Sequence, residues 1–243
     1  MNKIILTTSW DDGYPLDFRL ALLLKKYKIK GTFYIPLKNK ERPVITKKLL
    51  IKISQMGFEI GSHTLTHPTL NRLNYNELIS EIKDSKKQLE EIIKKNVVSF
   101  CYPKGRFNKK ISQILNAEGY KLARTTSLFH TNINFNPYFM PTTFHFSKRS
   151  YLSYLKQGVR ELNFVGLYKW LLTYRLKMDP LKLSLKILDH LSKTGGYFHI
   201  WGHSWEIEEK NLWKDLEKFF FEINKRKNIV YLTNYEVIKY LNL

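Results

Sequence analysis

Short apolar runs alternate with stretches of helical periodicity along almost the whole chain, and that alternation admits little besides repeated βα units sharing a parallel sheet. Ile4 to Ser9 reads as a first strand, and Pro15 to Lys28 as a helix with Leu16, Leu20, Leu23, Leu24 and Tyr27 on one face. Gly31 to Pro36 is a second strand, Thr46 to Met56 a helix and Phe58 to Ser62 a third strand. Asn74 and Glu77 have the spacing of a capping box that opens a helix to about Lys95. Val97 to Tyr102 and Tyr120 to Thr125 are strands four and five, on either side of a helix over Asn108 to Glu118 that Gly119 stops. Between Ser127 and Pro180 the alternation weakens, so a short strand near Met140 to Phe144 and a helical elaboration near residues 145–178 are expected. Pro180 to Lys193 is then helical, Tyr197 to Trp201 a buried strand, Glu208 to Arg226 one helix, Ile229 to Leu232 a last strand and Tyr235 to Leu241 a last helix. Seven or eight strands in this order make an α/β fold, a (β/α) barrel closed or incomplete, whose chemistry gathers at the C-terminal strand ends.

Length and composition agree with one domain over residues 1–243, because 243 residues with 43% hydrophobic content can fill one sizeable core. The only cysteine is Cys101, which excludes an intramolecular disulfide and a Cys-based zinc site, so any metal must sit on His and carboxylate. The opening Met1 to Thr8 reads as a strand and not as a signal peptide, and no run approaches a membrane span. A cytoplasmic protein is the expectation. One reservation concerns Phe164 to Leu172, apolar enough to rest on a lipid surface. The net charge of +20 suits an anionic glycan or membrane, yet lysines spread evenly among Ile and Asn also fit a biased base composition. Nucleic acid is not expected, since no basic helix, zinc knuckle or stacking motif accompanies the charge.

Polar residues break the pattern at the strand ends. Strand one finishes in Asp11-Asp12-Gly13, strand three in His63-Thr64-Leu65-Thr66-His67, strand four in Tyr102-Pro103-Lys104-Gly105, and the late buried strand in His199-Ile200-Trp201-Gly202-His203-Ser204-Trp205-Glu206. Adjacent carboxylates repel, and a cation held by one of them gives a reason for the pair, although an Asx-turn would explain it too. His63 and His67, four apart, can reach one ion from a tight loop. Two His and one Asp leave a coordination position open for water, as hydrolytic metals require.

These motifs, in this order, resemble the polysaccharide deacetylase family, the NodB-homology domain of carbohydrate esterase family 4. The resemblance runs from about Thr7 to Glu206 and implies a distorted (β/α)7 barrel and removal of N-acetyl groups from sugars. Carried over residue by residue, it makes Asp11 the catalytic base, Asp12, His63 and His67 the metal ligands, and His203 the acid that protonates the leaving amine. The backbone N–H of Lys104, with the metal, would face the oxyanion, and Tyr102 and Pro103 would border the substrate. Zinc suits Asp with two His, while cobalt, nickel or ferrous iron bind such sets too.

The chain also departs from the family. The usual arginine of the strand-four motif, which orients the catalytic Asp, is replaced where Cys101 and Tyr102 stand, and a tyrosine is replaced by Lys104. Arg124, at the end of strand five, is the candidate substitute; the alternative is a pairing with a surface carboxylate. His199 competes with His203 for the acid role, and a period of two puts both on one face with Trp201. Trp10, Trp201 and Trp205 are candidates for stacking on a sugar, Trp205 foremost. Glu206 either fixes the acid histidine or starts the next helix. His130, His145 and His190 lie outside any motif and read as structural or exposed. The substrate expected is an amino sugar of a polysaccharide, a lipid-linked or a nucleotide-linked glycan precursor, with deformylation or hydrolysis of another small amide on the same site, or a glycan-binding module lacking turnover, as alternatives.

Overall fold

Parallel strands with both faces covered are apolar along their whole length, and β1 (Ile4–Trp10) is buried at all seven residues. The computed structural model describes residues 2–243 and contains, after β1, the strands β2 (Thr32–Ile35), β3 (Glu59–Ser62), β4 (Ser99–Cys101), β5 (Leu122–Arg124), β6 (Phe144–His145), β7 (Gly196–Gly202) and β8 (Ile229–Tyr231). All pairings between them are parallel, in the order β5-β4-β3-β2-β1-β7-β6. β1 pairs with β7 from Ile4↔Gly196 to Trp10↔Gly202. On its other edge its last residues pair with β2, through Ser9↔Thr32, and its first with β8, through Ile4↔Ile229. β8 is thus wedged beside the start of β1, where β1 and β2 have splayed apart.

The two ends of this curled sheet meet. Met140 bridges Arg124 of β5, its N–H donating to Ala123 O (3.0 Å) while Thr125 N–H donates to its carbonyl (2.9 Å), and the same segment runs on into β6, which pairs with β7. Counting residues 140–145 as one member, seven strands surround the interior, a distorted (β/α)7 barrel. The expected strand near Met140 to Phe144 is therefore the piece that closes it.

The helices are α1 (Asp17–Lys26), α2 (Lys47–Gln55), α3 (Tyr75–Ile93), α4 (Lys109–Ala117), α5 (Tyr151–Arg160), α6 (Phe164–Tyr168), α7 (Pro180–Thr194), α8 (Ser204–Glu209), α9 (Trp213–Asn224) and α10 (Asn234–Leu241). The capping box at Asn74 and Glu77 is present in both directions and fixes the start of α3. The single helix expected over Glu208 to Arg226 is in fact two. Asn211 takes φ 53° between α8 and α9, a left-handed conformation that Asn tolerates and that ends a helix. In the elaboration, α5 and α6, the latter continued by a π-helical turn over Lys169–Thr173, are anchored by aromatic rings: Phe129 stacks on Trp170 at 6.1 Å and Tyr154 lies 5.1 Å from the same indole.

Candidate active site

β1 delivers two carboxylates to one cleft with different neighbours, because the backbone turns between them. Asp11 is still extended enough to donate its N–H to Gly202 O of β7 (3.0 Å), whereas Asp12 has φ 74° and Gly13 φ 56°. Asp is among the few side chains that accept the left-handed region. Asp11 consequently faces the barrel interior and meets the Arg124 guanidinium in a buried ion pair, with Cys101 Sγ 3.7 Å away. Burial alone would raise the Asp11 pKa; Arg124, with smaller help from His63 and His203, outweighs it and holds the carboxyl at about 2. Its second oxygen, Oδ1, has no hydrogen-bond partner.

Asp12 meets both histidines of the loop after β3. His67 Nε2 lies 3.3 Å and His63 Nε2 3.8 Å from Asp12 Oδ1, and Trp205 donates its indole N–H to Asp12 Oδ2 at 2.9 Å. The loop bends at Thr64 (φ 72°) and His67 (φ 59°), and Thr64 Oγ1 accepts the His67 N–H (2.9 Å). Glu81 of α3 holds it from outside, accepting from Leu65 N–H (2.8 Å), Thr66 N–H (2.9 Å) and Thr66 Oγ1 (2.5 Å). Glu81 carried no motif in the sequence; only its place on the α3 face turned to the loop distinguishes it.

The donor set fits a divalent metal. His63 Nδ1 is 2.8 Å from the Cys101 carbonyl, to which it can only donate, so in the neutral ring Nε2 bears a lone pair directed at the Asp12 carboxylate. Burial, with His67 as a like charge, lowers the His63 pKa to about 4, and burial lowers that of His67. A lone pair on His63 Nε2 facing a carboxylate oxygen repels it unless a cation lies between them. The three ligand atoms of Asp12, His63 and His67 are within 4.8 Å of one another.

Across the cleft, His203 follows β7, with Nε2 3.8 Å from Asp12 Oδ2 and Nδ1 3.3 Å from Glu206 Oε2. Burial pulls the His203 pKa down, but the Glu206 hydrogen bond and the Asp12 and Asp11 carboxylates outweigh it and the net shift is upward. Glu206 also lies 2.9 Å from His145 Nε2 and accepts from Ser147 Oγ (2.5 Å) and Lys210 Nζ (2.6 Å). His145, read from sequence as outside the site, is part of it: it sits at the end of β6 and lines the cleft. Burial lowers its pKa to about 4.

Several sequence expectations need correction. His199 is fully buried, held by Ser9 Oγ (2.8 Å) and Tyr197 OH (2.6 Å), and does not line the cleft, so the structure does not bring it to the surface that His203 occupies. Trp201 reaches the cleft only by its edge, because the His145 ring stacks on it at 4.0 Å and the Arg124 guanidinium lies 4.8 Å from its centroid. Trp205 lines the cleft, but Arg42 covers its ring at 3.7 Å, so it serves Asp12 more than it offers a stacking face. Trp10 is fully buried. Tyr102 lines the cleft and is tied through its hydroxyl to Tyr138 O (2.9 Å); Pro103 is buried behind it. Lys104 takes φ 57° and its ammonium pairs with Glu41 at the rim (2.7 Å). The whole forms an open cleft of about 560 Å³ at the C-terminal ends of the strands, where α5 contributes Ser153, Gln157 and Arg160.

Several known proteins are similar to this chain. The family model described as polysaccharide deacetylase matches residues 1–123. YxkH of Bacillus subtilis is 32% identical over 126 residues, 51% of this chain and 45% of that protein. A peptidoglycan-N-acetylglucosamine deacetylase of Bacillus cereus is 36% identical over 84 residues, 33% of this chain and 29% of its own length. The alignments thus span less than half of either relative. Among solved structures, the chitin deacetylase of Colletotrichum lindemuthianum superposes with a TM-score of 0.60 over 98% of this chain and 88% of its own, at 17% identity. The CE4 domain of a multidomain xylanase from the hindgut metagenome of Trinervitermes trinervoides gives 0.63 over 100% and 93%, at 14% identity, a likeness of fold. With its first half matched by the family model and its barrel shared across the full length, this chain belongs to the polysaccharide deacetylase family.

Proposed function

We propose that this protein is a metal-dependent hydrolase that removes the N-acetyl group from an amino sugar of a polysaccharide, lipid-linked or nucleotide-linked glycan precursor, acting as one unit over the described chain. The observation that carries the reading is the pair of adjacent carboxylates with divided environments: Asp12 among His63, His67 and Trp205, and Asp11 locked to Arg124. Relatives named for N-acetylglucosamine of peptidoglycan and for chitin support the amino-sugar substrate.

Asp12, His63 and His67 would hold the metal, with zinc the best match to one carboxylate and two imidazoles. Bound there, a divalent ion supplies Lewis-acid polarisation of the acetamide carbonyl and lowers the pKa of the attacking water. Asp11, kept ionised by Arg124 and with Oδ1 unpartnered, takes the proton of that water as its oxygen adds to the carbonyl carbon. The backbone N–H of Lys104 faces the resulting oxyanion. His203, oriented by Glu206 and biased towards the protonated form, gives its proton to the amine as the C–N bond breaks, leaving acetate and a free amino sugar.

Acetate release from chitooligosaccharides and nucleotide-linked N-acetyl sugars, compared between wild type, His63→Ala and Asp11→Asn, tests this. Release by the metal-loaded wild type that both substitutions abolish is expected. Release from N-formyl but not N-acetyl substrates would instead make it a deformylase, and glycan binding without release would make it a binding module.

A further inference from the structure

Ten of the seventeen large apolar side chains exposed among the described residues lie between Tyr151 and Met178, in the layer built by α5, α6 and the turn after it. This concentration is not spare core. The inner sides of the two helices are already satisfied: Tyr154 and Trp170 are fully buried in the ring cluster around Phe129, and a Cβ on Gly158 would stand only 2.5 Å from Leu167, so α5 meets α6 at bare backbone. The apolar residues left over point outward on helical spacing. Leu152 and Val159 are seven apart on α5, and Val165, Tyr168 and Leu172 follow at three and seven along α6 and its continuation, each between 55% and 68% exposed.

The charge that accompanies this face has one sign. Lys156, Arg160, Lys169, Arg175 and Lys177 lie in the same stretch against Glu161 alone, and among the described residues Lys156, Arg175 and Lys177 form no ion pair. An apolar face edged with cations is what sits at the headgroup level of an anionic bilayer, the ring and aliphatic groups entering the interface and the Lys and Arg heads staying with the phosphates. A second copy of this chain, with its own net charge of +20, would bring like charge onto the same surface. No helix among the described residues is long and apolar enough to cross a membrane.

We infer that this layer docks on an anionic lipid surface, through Leu152, Val159, Phe164, Val165, Tyr168 and Leu172, with the unpaired lysines and Arg175 at its edge. α5 presents Ser153 and Gln157 to the cleft, so the docked face adjoins the cleft wall and would bring its mouth towards the bilayer.

Co-sedimentation of the full chain with vesicles tests the inference directly. Binding to phosphatidylcholine vesicles containing phosphatidylglycerol, falling with salt and weaker on phosphatidylcholine alone, is expected. Phe164→Ser with Val165→Ser should weaken partitioning by about tenfold or more. Lys156→Glu with Lys177→Glu, which leaves the apolar face intact, should cost roughly fivefold per site on the anionic vesicles only. All four positions lie outside the cleft, so acetate release from a soluble substrate and the melting temperature should stay at wild-type values; if the apolar pair melts early, the lysine pair carries the test. A wild type that stays in solution with both vesicle types overturns the inference. So does an apolar double variant that sediments as well as wild type. A dimer seen by light scattering that this variant dissociates, without vesicle binding, would assign the face to self-association and overturn it equally.

Discussion

Arg124 at the end of β5 and Asp11 at the end of β1, 113 residues apart in sequence, form an ion pair in which neither side chain exceeds 4% exposure. The arginine comes from β5, whereas the family resemblance would place one in the strand-four motif, where this chain has Cys101 or Tyr102. Removing one member of a buried pair leaves the other charge without solvent or counter-ion. Arg124→Met is therefore expected to destabilise the fold by about 3–5 kcal/mol and to lower kcat on the order of 10²-fold or more as Asp11 loses its ionised state and orientation. Arg124→Lys should not restore either, because an ammonium lacks the planar fork. Denaturant unfolding and acetate release measure the two effects; a fully active Arg124→Met would remove Asp11's tether from the mechanism.

Metal removal has a stability readout as well as an activity one. With the ion at about a thousand times its Kd, binding to the folded state alone adds about 4 kcal/mol, so chelation should lower the melting temperature and abolish acetate release, and zinc should restore both. Trp205→Phe keeps the ring under Arg42 but deletes the N–H on Asp12 Oδ2. Its expected signature is a metal affinity weakened about 10- to 100-fold, read by chelator competition. Unchanged affinity would make that hydrogen bond incidental.

Glu206→Gln separates the acid from its support. His203 titrates upward because Glu206 and the Asp12 and Asp11 carboxylates outweigh its burial. Without the Glu206 charge the His203 pKa falls, so the proton needed by the leaving amine is lost at lower pH. The basic limb of kcat/KM should move towards acid by on the order of one pH unit, with the acidic limb in place. A limb that does not move would assign it to another group.

Acid stability follows from buried neutral histidines. Burial lowers the His145 pKa to about 4 and that of His199 to about 3, from 6.5. In that window the unfolded chain binds protons that the folded one excludes, so stability is whole above pH 6.5 and is lost as pH falls towards 4. Each such group contributes up to about 1.4 kcal/mol per pH unit. His199→Gln, which can still bond Ser9 and Tyr197, should flatten the slope between pH 6 and 4 measured by chemical denaturation; an unchanged slope would mean that His199 is charged in the fold.

The barrel was legible because most strands and helices announce themselves by period, and the ends of β1, β3, β4 and β7 by the polar residues that interrupt an apolar run. Asn74 and Glu77 placed a helix start to the residue. Depth along a strand was not legible: a period of two puts His199, Trp201 and His203 on one face, but that face is barrel interior at His199 and cleft only from Trp201 onward. His145 escaped because the short strand expected near Met140 to Phe144 stops one residue before it, and a two-residue β6 has no periodicity to mark its end. The break at Asn211 hides in a run whose composition stays helical throughout.

The wedge of β8 against β1 has a consequence for how the protein is made. β1 leaves the ribosome first, yet its neighbours are β7 on one edge and both β2 and β8 on the other, so two of its three partners are synthesised almost two hundred residues or more later. A nascent chain as long as the stretch matched by the family model would carry Asp11, His63 and Cys101 but could not enclose its own first strand. Completion of the site therefore waits for the synthesis of β7 and β8, and a chain cut before them offers a bare apolar strand edge to chaperones and proteases.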